Sequence, residues 1–303
     1  MNLIYLLFAL VSGLCFAVQG PINTALGERT NKFLATCVSF FGGMLALGIV
    51  LLVKGNRGLG NIAGTEFWKL LGGAYGAYGV CVTILAIPVL GLALTLTIVQ
   101  LGQLISAAVI DTFGLFAAAQ TAVTPLRLAG IVLTASGILF MYVGKKNDSG
   151  RKNRLPMALM ALSMGIISAI QSPTNAALSQ IVGSIESAFV SFAVGFLCIS
   201  LVTLLSGAFK KDCFGKREIR PWMISGGVFG ACAILINVVS MPVLGAALLT
   251  AAGMLGQLLG GLAIDSFGLL QIKKVPLSTR RVVGICLVLL GVGLVSMAKL
   301  GTL

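Results

Sequence analysis

The residues able to do chemistry in this chain are few and mostly uncharged. Gln103 and Gln257 each fall near the middle of a long apolar stretch, and Gln100 stands one helical turn before Gln103 on roughly the same face. Leaving a buried polar group without a hydrogen bond costs roughly 2–7 kcal/mol, so an amide in apolar surroundings is a natural partner for a polar solute stripped of water. Asn237, Tyr75 and Tyr78 lie on adjacent stretches and add groups to such a site, with core packing as the ordinary role of a tyrosine there. Gln19 and Asn23, and again Gln171 and Asn175, are spaced i, i+4 and share one helix face. Pro21 and Pro173 stand between them, each removing a backbone donor and weakening the turn, which suits a hinge or gate as well as a simple kink. Asp111 and Asp265 end two apolar stretches. They are expected to stay hydrated as helix or loop caps, with coupling to a proton as the alternative.

The missing residues exclude several chemistries. There is no histidine, hence no Ser/His or Cys/His nucleophile pair and no HExxH metal site. The seven cysteines show no CxxC spacing, so neither a zinc site nor a disulfide framework is expected. No nucleotide-binding motif is present, and neither catalysis nor a cofactor is expected.

The elements that must position these amides are set by composition. The 303 residues are 58% hydrophobic and only 10% charged, against roughly 25% charged in soluble domains. Mean hydropathy is +1.06. The apolar residues come in blocks of about 20, the length of helix needed to cross ~30 Å of hydrocarbon. The blocks are apolar all round, without the period-two alternation of a membrane barrel. This predicts an all-α integral membrane protein with ten spans: 3–25, 33–53, 67–87, 92–110, 127–144, 155–177, 188–208, 222–241, 246–264 and 282–298. The net charge of +13 sits in short loops, where it orients a membrane protein and does not indicate nucleic-acid binding.

An internal repeat organises the chain. Gln19-Gly20-Pro21-Ile22-Asn23 returns as Gln171-Ser172-Pro173-Thr174-Asn175, and Val38-Ser39-Phe40 as Val190-Ser191-Phe192, at an offset of 152. Trp68 returns as Trp222, Pro88-Val89-Leu90-Gly91 as Pro242-Val243-Leu244-Gly245, and Gly102-Gln103-Leu104 as Gly256-Gln257-Leu258, at an offset of 154. Ile110-Asp111-Thr112-Phe113-Gly114-Leu115 matches Ile264-Asp265-Ser266-Phe267-Gly268-Leu269. The predicted organisation is a first five-helix repeat over 1–146, a basic linker over 147–154 and a second repeat over 155–303. An odd number of spans per repeat inverts the second copy in the membrane. Five basic residues, including Lys54, Lys69 and Arg127, fall on the side of the termini; the other sixteen fall opposite. Both termini are therefore expected outside the cytoplasm.

The Gln-x-Pro-x-Asn of the first helix, the Pro-Val-Leu-Gly turn, and Gly-Gln-Leu followed by Asp-x-Phe-Gly resemble the YdcZ-like branch of the drug/metabolite transporter superfamily. The resemblance runs once through each half and is to the fused, two-domain form. It implies transport without naming a substrate. The relatives' usual cytoplasmic termini differ from the charge bias found here. The first helix also lacks the buried glutamate that the superfamily's small multidrug exporters use. The expected function is therefore a secondary transporter, in the exporting direction, for a small polar or zwitterionic metabolite or drug-like compound in a bacterial plasma (inner) membrane. A flippase or carrier for a lipid-linked substrate is the alternative. Expected partners are the small-molecule substrate and the bilayer, with no nucleic acid. The internal duplication makes a monomer sufficient, and a homodimer is also compatible.

Overall fold

A computed structural model describes residues 2–55, 58–117, 124–142, 154–207, 218–272, 274 and 278–300; some side chains within its helices, those of Asp111 and 241–251 among them, lie outside the description. The linker residues 147–153 also lie outside it. Every regular element among the described residues is helical. The helices are α1 Asn2–Gly27, α2 Lys32–Lys54, the single turn α3 Phe67–Leu70, α4 Gly72–Leu90, α5 Leu92–Phe113, α6 Pro125–Tyr142, α7 Arg154–Val182, α8 Ser184–Leu205, α9 Gly226–Phe267 and α10 Thr279–Leu300. Among the described residues, five stretches are long and apolar enough to cross a membrane: Leu3–Gly27, Lys32–Lys54, Phe67–Leu90, Arg154–Val182 and Ser184–Leu205.

Local chemistry sets several boundaries. Asn31 caps α2, its Oδ1 accepting the Leu34 amide at 2.8 Å, and Gly55 ends that helix at φ +83°. Before α3, Glu66 accepts the Trp68 indole N–H at 2.8 Å and pairs with Lys69 at 3.2 Å. The Trp68 hydrogen bond, and then Lys69, hold the exposed Glu66 carboxyl below its usual range. Gly91, at φ +84°, separates α4 from α5 in a conformation that a side chain would strain.

The stretch expected as spans 222–241 and 246–264 is one run of helical geometry, α9, 42 residues long. Straight, it would measure about 63 Å. Its contacts with α1 show that it turns back on itself. Gly226 meets Asn23, Gly230 meets Gln19, and Asn237 meets Ser12, so this part runs antiparallel to α1. Gly253 then meets Gly13, Gly256 meets Leu10, and Gly260 meets Leu14 and Ala17, so this part runs parallel to it. The reversal falls between 237 and 253, where Pro242 removes a backbone donor and Gly245 stands in the place that Gly91 takes earlier.

α4 and α5, joined at Gly91, take the same reversed course along the continuous helix α7. Asn175 meets Gly72 and Gln171 meets Gly76 in one direction; Leu162 and Gly165 meet Gly102 in the other. The first helix of each sequence repeat thus packs against helices of the other repeat. α2 and α8 pack through the ring pair Phe40–Phe192, centroids 5.1 Å apart, and α6 packs against α10 through Gly137 and Gly291. Glycines make these approaches possible. A methyl at Gly73 would overlap the Ser191 carbonyl, and one at Gly227 the Ser39 carbonyl. Close backbone approach of this kind is how helices associate where no water drives burial.

Candidate functional site

At the centre, α5 crosses the second arm of α9. Gln100, fully buried, donates from Nε2 to the Met254 carbonyl and to Gln257 Oε1, both at 3.3 Å. Its own Oε1 is buried with no hydrogen-bond partner. Gln257 is half-buried, its backbone against Gly13 of α1. Spacing in the sequence placed Gln103 and Gln257 each near mid-helix with Gln100 beside Gln103; in the structure the side chain that reaches Gln257 is that of Gln100. Gln103 is half-buried one turn away, its backbone against Gly165 of α7. The reason is helix register. Position 100 touches position 254, its own counterpart at the repeat offset, so the crossing is centred one turn before Gln103.

Two further polar pairs flank the crossing. Ser12 of α1 donates to Asn237 Oδ1 at 2.6 Å and to the Ala233 carbonyl at 3.1 Å. Tyr78 of α4 and Ser163 of α7 share a hydrogen bond of 2.7 Å. Asn237 and Tyr78 are thus both tied to a serine on a helix of the opposite repeat. Tyr75 is half-buried on the same helix as Tyr78. The two pairs are not equivalents of each other. The place of Asn237 is taken in the first half by Thr83, which meets Met164, the counterpart of Ser12, at 3.5 Å. The interior therefore presents different chemistry on its two sides.

The amides expected at gates sit on glycine faces. Asn23, 2% exposed, lies against Gly226, and Gln19 against Gly230; Asn175 lies against Gly72, and Gln171 against Gly76. Each of these glycines leaves the space that the facing amide fills. Pro21 and Pro173 lie within α1 and α7, which remain continuous helices through them. Asn175 Oδ1 is buried without a hydrogen-bond partner, a second unsatisfied amide oxygen.

Asp265 departs from the hydrated position expected of it. It is fully buried, and its Oδ1 accepts the Leu92 amide at 3.1 Å, capping the start of α5 beside Gly91. A carboxylate at a helix N-terminus meets unpaired N–H groups and the positive end of the helix dipole. Asp111 stands near the far end of the same helix, and its side chain is outside the described residues. Spacing alone passed over Ser12, although Ser12, Gln19 and Asn23 stand at i, i+7 and i+11 on one face. It also passed over Glu186, buried in the first turn of α8, and Arg29 at the end of α1. A separate concavity of about 510 Å³, lined by Met44, Leu45, Ile49, Leu52 and Phe189 among others, contains none of these amides.

The family model described as "Putative inner membrane exporter, YdcZ" matches twice, over residues 4–140 and 156–294. The chain belongs to the YdcZ family. It is a multi-pass membrane protein, a transporter and not an enzyme. A crystal structure 14% identical to this YdcZ-family chain covers 97% of it and 96% of its own length, with a TM-score of 0.61; it is one of 23 solved chains that match. At that identity the likeness is one of fold. No curated protein matches the chain.

Proposed function

We propose that this YdcZ-family protein is a secondary exporter of a small polar or zwitterionic metabolite, working by alternating access in a bacterial plasma membrane. In this reading the chain crosses the bilayer ten times as two inverted five-helix repeats, with both termini outside the cytoplasm. Support for the repeat relation comes from residues that touch their own counterparts: Gln100 with Met254, and Phe40 with Phe192. Such self-contacts arise where a two-fold axis relating the halves passes. Support for ten spans comes from the reversal of α9, which makes two arms from one helical run.

The substrate is assigned to the amide crossing of Gln100, Gln103 and Gln257, with Asn237, Tyr75 and Tyr78 around it. The observation that carries this is the Gln100 Oε1, a buried acceptor without a donor. Leaving it so costs about 1–3 kcal/mol, which a bound N–H or O–H donor would recover. In this reading the helices, continuous through Pro21 and Pro173, belong to a closed state. In the transport cycle these prolines and their flanking amides Gln19, Asn23, Gln171 and Asn175 are the bending points.

The test is efflux from proteoliposomes loaded with pools of polar metabolites, followed by mass spectrometry. A compound exported by the unsubstituted protein and retained by Gln100→Leu supports both the substrate class and the site. Full export by Gln100→Leu together with Gln257→Leu removes the site from the crossing.

A further inference from the structure

The end of α1 carries a contact that the repeat does not copy. Arg29 donates from Nη1 to the Ala25 carbonyl at 2.9 Å, one turn back in its own helix. The same guanidinium reaches outward. Nε donates to the Glu218 carbonyl at 3.1 Å, just before the turn that leads into α9. Nη2 donates to Gln271 Oε1 at 2.6 Å, in the turn Leu269–Gln271 that leaves it. One side chain of the first half therefore ties together the entry and the exit of α9, the helix that turns back along α1.

The turn it holds is strained. Leu270 and Gln271 sit at φ +54° and +63°, a left-handed region that non-glycine residues occupy only at a cost. Such residues persist where surrounding contacts over-determine them. The opposite end of the molecule repeats the turn but lacks the tie. Phe116, the counterpart of Leu270, is also left-handed, at φ +56°. The counterpart of Arg29 is Ile181, however, and that of Gln271 is Ala117. Neither side chain can form such a hydrogen bond.

We propose that Arg29 is a one-sided latch that holds this face of the transporter closed and biases the alternating-access equilibrium, resting on the alternating-access reading above. Arg29 touches no substrate; it acts through the position of the two ends of α9. A planar guanidinium with donors on three nitrogens is suited to bridging three carbonyl oxygens at once, which a lysine ammonium does less well.

The test uses paired spin labels in a full-length, cysteine-free background and reads distance distributions. One pair, at Glu28 and Leu269, spans the latched face; its repeat counterparts, Gln180 and Leu115, span the other. All four positions are exposed. The expected result is one short-distance population for Glu28/Leu269 with Arg29 in place. Arg29→Ala should raise a longer-distance population there by about tenfold, as loss of charge-assisted hydrogen bonds predicts, and Arg29→Lys should fall between. Only variants that remain monodisperse are compared. If Arg29→Ala leaves the Glu28/Leu269 distribution unchanged while Gln180/Leu115 shows two populations, the faces move and the latch is wrong. If neither pair shows a second population with or without Arg29, both the latch and alternating access fail.

Discussion

Gln100 of α5 donates to the backbone of Met254, the residue that occupies its own place in the second half, and to the side chain of Gln257 one turn further on. An amide stands on one side of the crossing and a thioether on the other. A polar solute bound there would meet a directional surface even though the scaffold around it is duplicated.

This separates binding from glue. Interhelical hydrogen bonds in membrane proteins contribute about 0.6–2 kcal/mol, whereas an unpaired buried acceptor costs a similar amount. The two nearly cancel at Gln100. Gln100→Met, which makes the crossing alike on both sides, is expected to leave the melting temperature of the purified protein within a few degrees while abolishing export. A large fall in melting temperature would make the residue structural.

The glycine faces should tolerate nothing larger. At Gly227 a side chain would run into the Ser39 carbonyl and the Gly43 amide, both backbone. Gly227→Val is expected to lose the monodisperse peak in size-exclusion chromatography, with overpacking costing about 1–3 kcal/mol or more. Gly60, where an added methyl meets nothing within 4 Å, is the control, and Gly60→Ala should elute unchanged.

Asp265 separates capping from coupling. Asp265→Ala removes the acceptor for the Leu92 amide and should cost about 0.5–2 kcal/mol of stability. Asp265→Asn keeps an acceptor oxygen and should retain both most of the stability and export. A stable Asp265→Asn protein whose export no longer responds to an imposed pH gradient would make the carboxyl a proton carrier.

The charge bias makes the orientation testable. Alkaline phosphatase fused after residue 303 should be active, and the same enzyme inserted in the linker 147–154 should be inactive. The reverse pattern would place both termini in the cytoplasm.

Much of this protein is written locally. Apolar blocks of helical length, the repeat at offsets of 152 and 154, and the Pro-Val-Leu-Gly turn ending at Gly91 are all legible without a structure, because each is a pattern of residue types along the chain. Gln100, Gln257 and Asn237 were legible as polar residues in apolar surroundings for the same reason. Their partners were not. The pairing of Gln257 with Gln100, the burial of Asp265 over the start of α5, and the reach of Arg29 to Gln271 all join segments more than 150 residues apart. Those contacts depend on helix register between the halves, and register is set by how closely the glycine faces of α1 with α9, and of α7 with α4 and α5, can approach. Helical periodicity says which face a residue is on. Only the packing of one half against the other decides what that face meets.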